Sequence, residues 1–500
     1  MPSVWTSWNI QFLRIGVVQL EGVGRRIIAA IKQRVHDGSY RPGDGLPSSR
    51  AFAAEWGVSR TTVTAAYAQL VAEGYLIVRR GARPVVAAGL TAKPADGPTP
   101  PSAPPHLSAF ANRLATLSPP AATGGVTVAD FRYGHVSAAD FPVLAWRRAV
   151  TRASLRRRPV LQYGEPQGEA GLRAVLADYL WRARGIGCRS DDIVIVNGSQ
   201  QGLDLAARIL LDPGDGFLME NPGYGLARNV FLAAGGTAIP VPVDGDGLVT
   251  DTLPDARLAY VTPSHQFPLG GVLSATRRRA LLAWASARGA YVIEDDYDAE
   301  YRHDIAPIPP VQTLDPQSVI YLGTVSKTLS PTLRLGYLVA PAALLPAFVE
   351  AKRITDRQTP LLEQEAWAEL LASGAYERHV RAVRRRNGER RVTLLQALRR
   401  ELGATFTLEG DRAGLHVVIW LDRMTAAREG ELIASARAEG VGLYPVSPLY
   451  DPAGPLPQCA GLVMGYAGLD GDAITKGVAV MARLLANRHF LRGRPSGPSR

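Results

Sequence analysis

Within GTVSKTLSPTLRLGY, the residues Thr324, Ser326, Lys327 and Arg334 set two hydroxyls, an amine and a guanidinium close together. Hydroxyls and a guanidinium hold a phosphate, and a partly desolvated lysine forms imines with carbonyl compounds. A lysine in a surface loop reads the same way in isolation, so other elements must decide. In VIEDDYD the alternation of a strand puts Asp295 and Tyr297 on one side. There an aspartate can keep a pyridine nitrogen protonated and a tyrosine can hold a ring hydroxyl. Asp296 and Asp298 read more simply as caps of neighbouring helices. NGSQQG puts Gly198, Ser199 and Gln200 at the start of a helix whose free amides attract phosphate. Tyr224, in NPGY, offers a ring to stack on an aromatic ligand and reads equally well as a core tyrosine. Phosphate, ring nitrogen, ring hydroxyl and aldehyde together describe pyridoxal phosphate, the cofactor these residues suit.

The elements that must position these groups follow from hydrophobic patterning. The apolar runs DIVIVN, GFLME, LAYVT, AYVIEDD and VIYLG, and later LHVVIWL and GLVMGYA, alternate with helical patterns. That alternation predicts an α/β layered domain with a mainly parallel sheet. The chemically interesting residues come just after strands, where ligands of open sheets bind.

A smaller module precedes this domain. Ile27, Ile28, Ile31 and Val35 mark a helix stopping near Gly38, and Ser48 or Ser49 caps a second that turns Phe52, Ala53 and Trp56 inward. Ser59 caps a third, in which Val63, Ala66, Tyr67, Leu70 and Val71 form the buried stripe and Arg60, Thr61 and Thr64 face out. After Gly74 two β-rich arms flank a Gly-containing turn, with Arg79, Arg80 and Arg83 around it, as a hairpin wing would have. Two short helices joined by a tight turn make the helix from Arg60 a candidate major-groove reader, and Arg50 a clamp on the phosphate backbone. Charge agrees: the chain has a formal surplus of +11, and residues 1–90 hold 11 basic against 5 acidic side chains. The partner this favours is double-stranded DNA.

Between Pro94 and Pro120 there are eight prolines in 27 residues, a composition that predicts an extended linker without helix. The chain thus divides into a leader (1–19), a DNA-binding module (20–88), a linker (89–124), a large domain (125–490) and a tail (491–500). Two cysteines, Cys188 and Cys459, build neither a disulfide framework nor a Cys-based zinc site. With no signal-peptide pattern and no apolar run of membrane-spanning length, the expected location is the cytoplasm, with no membrane contact. No HExxH or GxxxxGK[ST] motif is present, and no metal is expected.

LPSSRAFAAEWGVSRTTVTAAYAQLVAEGYL resembles the winged helix-turn-helix of the GntR family of bacterial transcription factors. The resemblance implies DNA contacts from Arg50 and Arg60, with Ser59, Thr61 and Thr62 at the start of the reading helix and Gly81 at the wing tip. Where relatives carry a Gly-x-Gly-Thr turn, this chain reads Gly81-Ala82-Arg83-Pro84. Residues from about 130 to 485 resemble a fold-type I aminotransferase with a smaller C-terminal α+β lobe, and TPSHQFPLG, EDDYDAEYR and GTVSKTLSPTLRLGY are similar to the MocR subfamily. That likeness implies pyridoxal 5'-phosphate linked to Lys327, with Asp295 on the pyridine nitrogen, Tyr297 and His265 near the ring hydroxyl, and Tyr224 stacked on the ring. Ser199, Gln200, Ser326 and Arg334 would hold the phosphate, and Tyr163 would reach into the site of a second copy in a homodimer. Aminotransferases clamp the substrate carboxylate with an arginine two residues before a Gly-aromatic pair, whereas this chain has Val463 before Gly465-Tyr466. The expected function is a transcription regulator sensing the cofactor, an amine or an amino acid, in vitamin B6 or amino-acid metabolism. The alternative is a working aminotransferase with a fused DNA-binding module.

Overall fold

The computed structural model describes residues 16–79, 82–89, 106–117, 126–156, 162–303, 308–455 and 457–486. The chain forms two compact units, Met1–His106 and Leu107–Arg500.

In the first unit, α1 (Gly16–His36), α2 (Ser49–Trp56) and α3 (Arg60–Ala72) precede a hairpin of β1 (Leu76–Ile77) and β2 (Val85–Val86). Ile27, Ile31 and Val35 of α1 meet Phe52, Val63, Tyr67 and Leu70 in one core. Ser48 caps α2 by accepting from the Ala51 amide at 3.2 Å, and Gly57 ends it in the left-handed region at φ 64°. Val71 departs from the expected stripe, being 37% exposed. Eight residues after Val63 its side chain has rotated by about 80°, past the face covered by α1 and α2.

The second unit is built on an eight-stranded sheet in the order Ile193–Val196, Gly336–Val339, Val319–Thr324, Tyr291–Asp296, Leu258–Val261, Gly216–Asn221, Thr237–Asp244 and Gly247–Leu248. Gly336–Val339 runs antiparallel to both neighbours and Gly247–Leu248 closes a hairpin on one edge, while the four central pairings are parallel. Strands covered on both faces need apolar residues throughout. Ile193 and Ile195 accordingly join one core, Val194 and Val196 the core on the opposite face. Complete burial of such a side chain contributes about 1.5–3 kcal/mol.

A smaller lobe follows the long helix Ala375–Leu402. Its antiparallel sheet comprises Phe406–Glu409, His416–Thr425 and Cys459–Gly465, covered by Gly471–Ala486. Ala129–Asp130 pairs with Val441–Gly442, so the beginning of this unit is woven into its last lobe.

The Pro-rich stretch is corrected at one point. Ala109–Leu114 is helical (α4), with Ser108 accepting from the Ala111 amide at 3.2 Å and Arg113 donating to the Ala233 carbonyl at 2.8 Å. All eight prolines lie outside residues 106–118, so a serine cap and a docking surface suffice for a helix there. Among the described residues no helix is long and apolar enough to cross a membrane.

Candidate functional site

A cavity of about 490 Å³ opens at the carboxyl ends of the parallel strands and is lined by Ser199, Gln200, Tyr224, Asp295, Tyr297, Thr324, Ser326, Lys327 and Arg334. The fold thus gathers nine of the residues singled out from four separate motifs. Two more stand just behind its wall. Gly198 caps the helix Ser199–Leu210 at φ 77°, and a Cβ there would lie 2.7 Å from Arg334 Nη2, so only glycine lets the guanidinium come this close. His265 is buried and touches the Tyr297 hydroxyl through Nδ1 at 3.1 Å. Tyr163 is 71% exposed, with the Arg357 guanidinium 4.4 Å from its ring, and does not line this chain's own cavity.

One end is built for an anion. Ser199 begins its helix, so unpaired backbone amides face the cup, and Arg334, itself at φ 51°, donates from Nη2 to the Asn197 carbonyl at 2.9 Å. Thr324 Oγ1 donates to Ser326 Oγ at 2.9 Å, which sets the orientation of that hydroxyl.

The centre holds the reactive pair. Lys327 follows the strand Val319–Thr324 and donates from Nζ to the Gly134 carbonyl at 2.8 Å. Burial lowers its proton affinity against the opposing charges of Asp298 and Asp295, which favours the neutral amine a nucleophile needs. Gly134 has φ 82°, and a Cβ on it would sit 2.9 Å from Nζ. Asp295 accepts from the Tyr260 hydroxyl at Oδ2, 2.8 Å away, while its Oδ1 is buried without a partner. Burial raises this carboxyl to about 6. An unpartnered buried carboxylate oxygen matches a ligand's ring N–H, so the donor set fits a phosphorylated pyridine aldehyde.

Behind Tyr297 lies a buried brace. His265 Nδ1 meets Asp298 Oδ2 at 2.9 Å, and His416 Nε2 meets the Pro268 carbonyl at 2.9 Å. One ligand atom from each of His265, Asp298 and His416 lies within 4.8 Å of the others, a composition that could also hold a metal; His265 Nδ1 and His416 Nε2 are engaged by these hydrogen bonds, while His265 Nε2 is buried without a partner. Burial pushes Asp298 up, and the His265 charge and hydrogen bond more than offset it, leaving it below the usual range. Tyr133, Gly134, Tyr260, Phe267, Leu415 and His416 also line the site, with Leu226, Thr262 and Pro331, and were not singled out from sequence. For Tyr260, its place at the end of the LAYV strand was a usable signal, since strand ends carry the ligand.

In the first unit, Arg50, Ser59, Arg60 and Thr61 are exposed and Thr62 is half-buried. Arg60 Nε donates to Ser49 Oγ at 3.4 Å, joining the start of α3 to the start of α2. Ser59 Oγ accepts from the Thr62 amide at 3.1 Å and meets the Thr61 and Thr62 hydroxyls at 2.8 and 2.7 Å. Its first task is thus capping. Arg79 and Arg83 are exposed at the hairpin, while Arg80 and Gly81 lie outside the described residues.

Residues 24–86 match the bacterial regulatory proteins of the gntR family, and residues 130–450 the aminotransferase class I and II family. The chain is 35% identical to the probable rhizopine catabolism regulatory protein MocR of Rhizobium meliloti, over 91% of this chain and 92% of that one. It is 34% identical to the HTH-type pyridoxine biosynthesis transcriptional regulator PdxR of Corynebacterium glutamicum, over 89% and 92%. Among solved structures it is similar to LysN, the α-aminoadipate aminotransferase of Thermus thermophilus, complexed with N-(5'-phosphopyridoxyl)-L-leucine. That likeness has a TM-score of 0.65 and 31% identity, over 76% of this chain and 94% of that one.

Proposed function

The chain belongs to the MocR-type transcriptional regulators, a GntR DNA-binding domain fused to an aminotransferase-like domain, and from this we propose that it binds pyridoxal 5'-phosphate and uses it as a sensor. Supporting the reading is one observation above all: the unpartnered Asp295 Oδ1 shares a single cavity with Lys327 and with the anion cup of Ser199, Gln200, Ser326 and Arg334. Lys327 is the covalent anchor, Asp295 holds the ring nitrogen, Tyr297 with His265 behind it holds the ring hydroxyl, and Tyr224 covers the ring face. Bound there, the cofactor supplies an electrophilic carbon toward amines. The residues around it hold that carbon in place and keep water from its ring.

A ligand that binds one arrangement of the protein better shifts the population of arrangements, and a nearly complete switch needs about 5.5 kcal/mol of differential binding. The chain acts as a homodimer in the cytoplasm, Tyr163 completing the site of the second copy, and Arg50, Arg60, Thr61 and the wing reading DNA. The DNA-binding module and the large domain are those read from sequence, with the helix Ala109–Leu114 belonging to the large domain, and the regulated process is vitamin B6 or amino-acid metabolism. The cofactor or an amine reacting with it is the signal.

Absorbance spectroscopy tests this directly. Protein purified with pyridoxal phosphate should show the bound-cofactor band and retain the cofactor covalently after borohydride reduction, and Lys327→Ala should lose both. A reducible adduct surviving in that variant refutes the anchor. DNA affinity unchanged by adding or removing the cofactor and amines refutes the sensor.

A further inference from the structure

Beyond the anion cup and the central Lys327 and Asp295, the cavity wall is largely apolar and aromatic. Away from the anion cup its wall is Tyr133, Leu226, Phe267, Leu415 and His416. Phe267 stands at the centre of this wall, its ring centroid 5.2 Å from Tyr133, 5.7 Å from Tyr224, 6.1 Å from Tyr297 and 5.5 Å from His416. Behind it, Val418 and Val463 are fully buried in the same apolar cluster. Val463, at the place where the resemblance expects a carboxylate-binding arginine, is buried in this apolar cluster and does not line the cavity. Among the described residues lining the cavity the cations are Lys327 and Arg334, and Arg334 belongs to the cup. His416 adds no charge near neutrality, since burial foremost pushes it down to about 4. Asp295 and Asp298 are the charges that act on Lys327, and the Arg302 guanidinium, which acts on Tyr297 and Asp298, does not line the cavity. A ligand carboxylate placed here would lose its water without gaining a guanidinium and would face like charge.

Resting on the cofactor assignment above, we infer that the effector is a primary amine with an uncharged apolar or aromatic tail, and that the cavity discriminates against amino acids. The nitrogen lies toward Lys327, Asp295 being engaged by the cofactor ring, and the tail meets Phe267, Tyr133, Leu226 and Leu415. Aromatic walls accept such a tail and favour a cation over a zwitterion.

Calorimetric titration of the full-length, cofactor-loaded protein with pairs differing only by the carboxylate tests this: phenethylamine against phenylalanine, and pentylamine against norleucine. Each amine should bind at least roughly tenfold tighter than its amino acid. Equal or tighter binding of the amino acids overturns the inference, including the case in which a second copy supplies a basic side chain. Leu226→Arg, at a position 48% exposed on the cavity rim, should raise amino-acid affinity and narrow the ratio. A ratio unchanged in a variant that still binds the cofactor overturns the missing cation as the cause. Absence of the cofactor band before titration is a separate result, which refutes the cofactor assignment and the inference with it.

Discussion

Burial of the Asp295 carboxyl should destabilise the cofactor-free domain above its raised pKa, and Asp295→Asn isolates the effect. The carboxyl is 4% exposed, and burial foremost raises it from 3.8 to about 6, despite the Tyr260 hydrogen bond and the Lys327 charge that favour ionisation. A difference of roughly 2 units corresponds to about 3 kcal/mol. The unfolded chain ionises at the ordinary value while the fold holds the proton more tightly. The penalty is therefore absent below about pH 4, grows between about 4 and 6 and is complete above. Asparagine keeps an acceptor for Tyr260 but puts an N–H where Oδ1 now has no partner, which returns about 1 kcal/mol. The cofactor-free variant should thus exceed the parent by about 2 kcal/mol at pH 8, the gap closing toward pH 5, while its cofactor affinity falls. Urea denaturation of the intact chain across this range, following the transition of the second unit, measures it. A variant no more stable at pH 8, or a gap independent of pH, refutes the reasoning.

Arg60→Ala should weaken specific DNA binding by about 1–3 kcal/mol if the side chain reads a base. If it touches only phosphate, the loss is equal on all sequences and the salt slope falls by about one; fluorescence anisotropy at several salt concentrations separates these, and no loss in either measure places the reading helix elsewhere. Ser59→Ala removes the α3 cap and should cost the first unit about 1 kcal/mol, seen as earlier thermal unfolding without DNA; an unchanged transition refutes the capping role. Steady-state transamination over a panel of amino acids should stay well below about one turnover per second, because among the described residues lining the cavity the only guanidinium is Arg334 of the anion cup, and sustained turnover at an ordinary rate would return the chain to the class of working aminotransferases.

What sequence could show depended on whether a contact is local. Lys327, Ser326 and Arg334 sit in one motif, and Asp295 and Tyr297 in another, so residue type and strand period placed them. Gly134 and Tyr133 reach the cavity through a segment whose strand partner, Val441–Gly442, lies more than three hundred residues later. No local pattern encodes that pairing. Tyr260 belongs to the site because its strand lies beside the one bearing Asp295 in a parallel register, and Phe267 because His416 and Tyr133, from other elements, pack on it. The Pro-rich stretch misled for the opposite reason. Averaged composition hid a short proline-free run whose cap and docking contact decide its conformation.

The threading of Ala129–Asp130 into the lobe completed by Val441–Gly442 and Cys459–Gly465 has a temporal meaning. The first unit closes on contacts within Met1–His106, so it can fold as soon as it leaves the ribosome. The Gly134 carbonyl that meets Lys327 is fixed by backbone pairing to segments near residue 442 and beyond, as in the bond from the Gly465 amide to the Phe131 carbonyl. At about 5–20 residues per second, the ribosome needs roughly 20–70 s to make the intervening chain. For that interval each nascent molecule carries a complete first unit and an incomplete second one. Prematurely terminated chains stay in that condition, with the first unit complete and the cavity lacking the wall that Gly134 supplies.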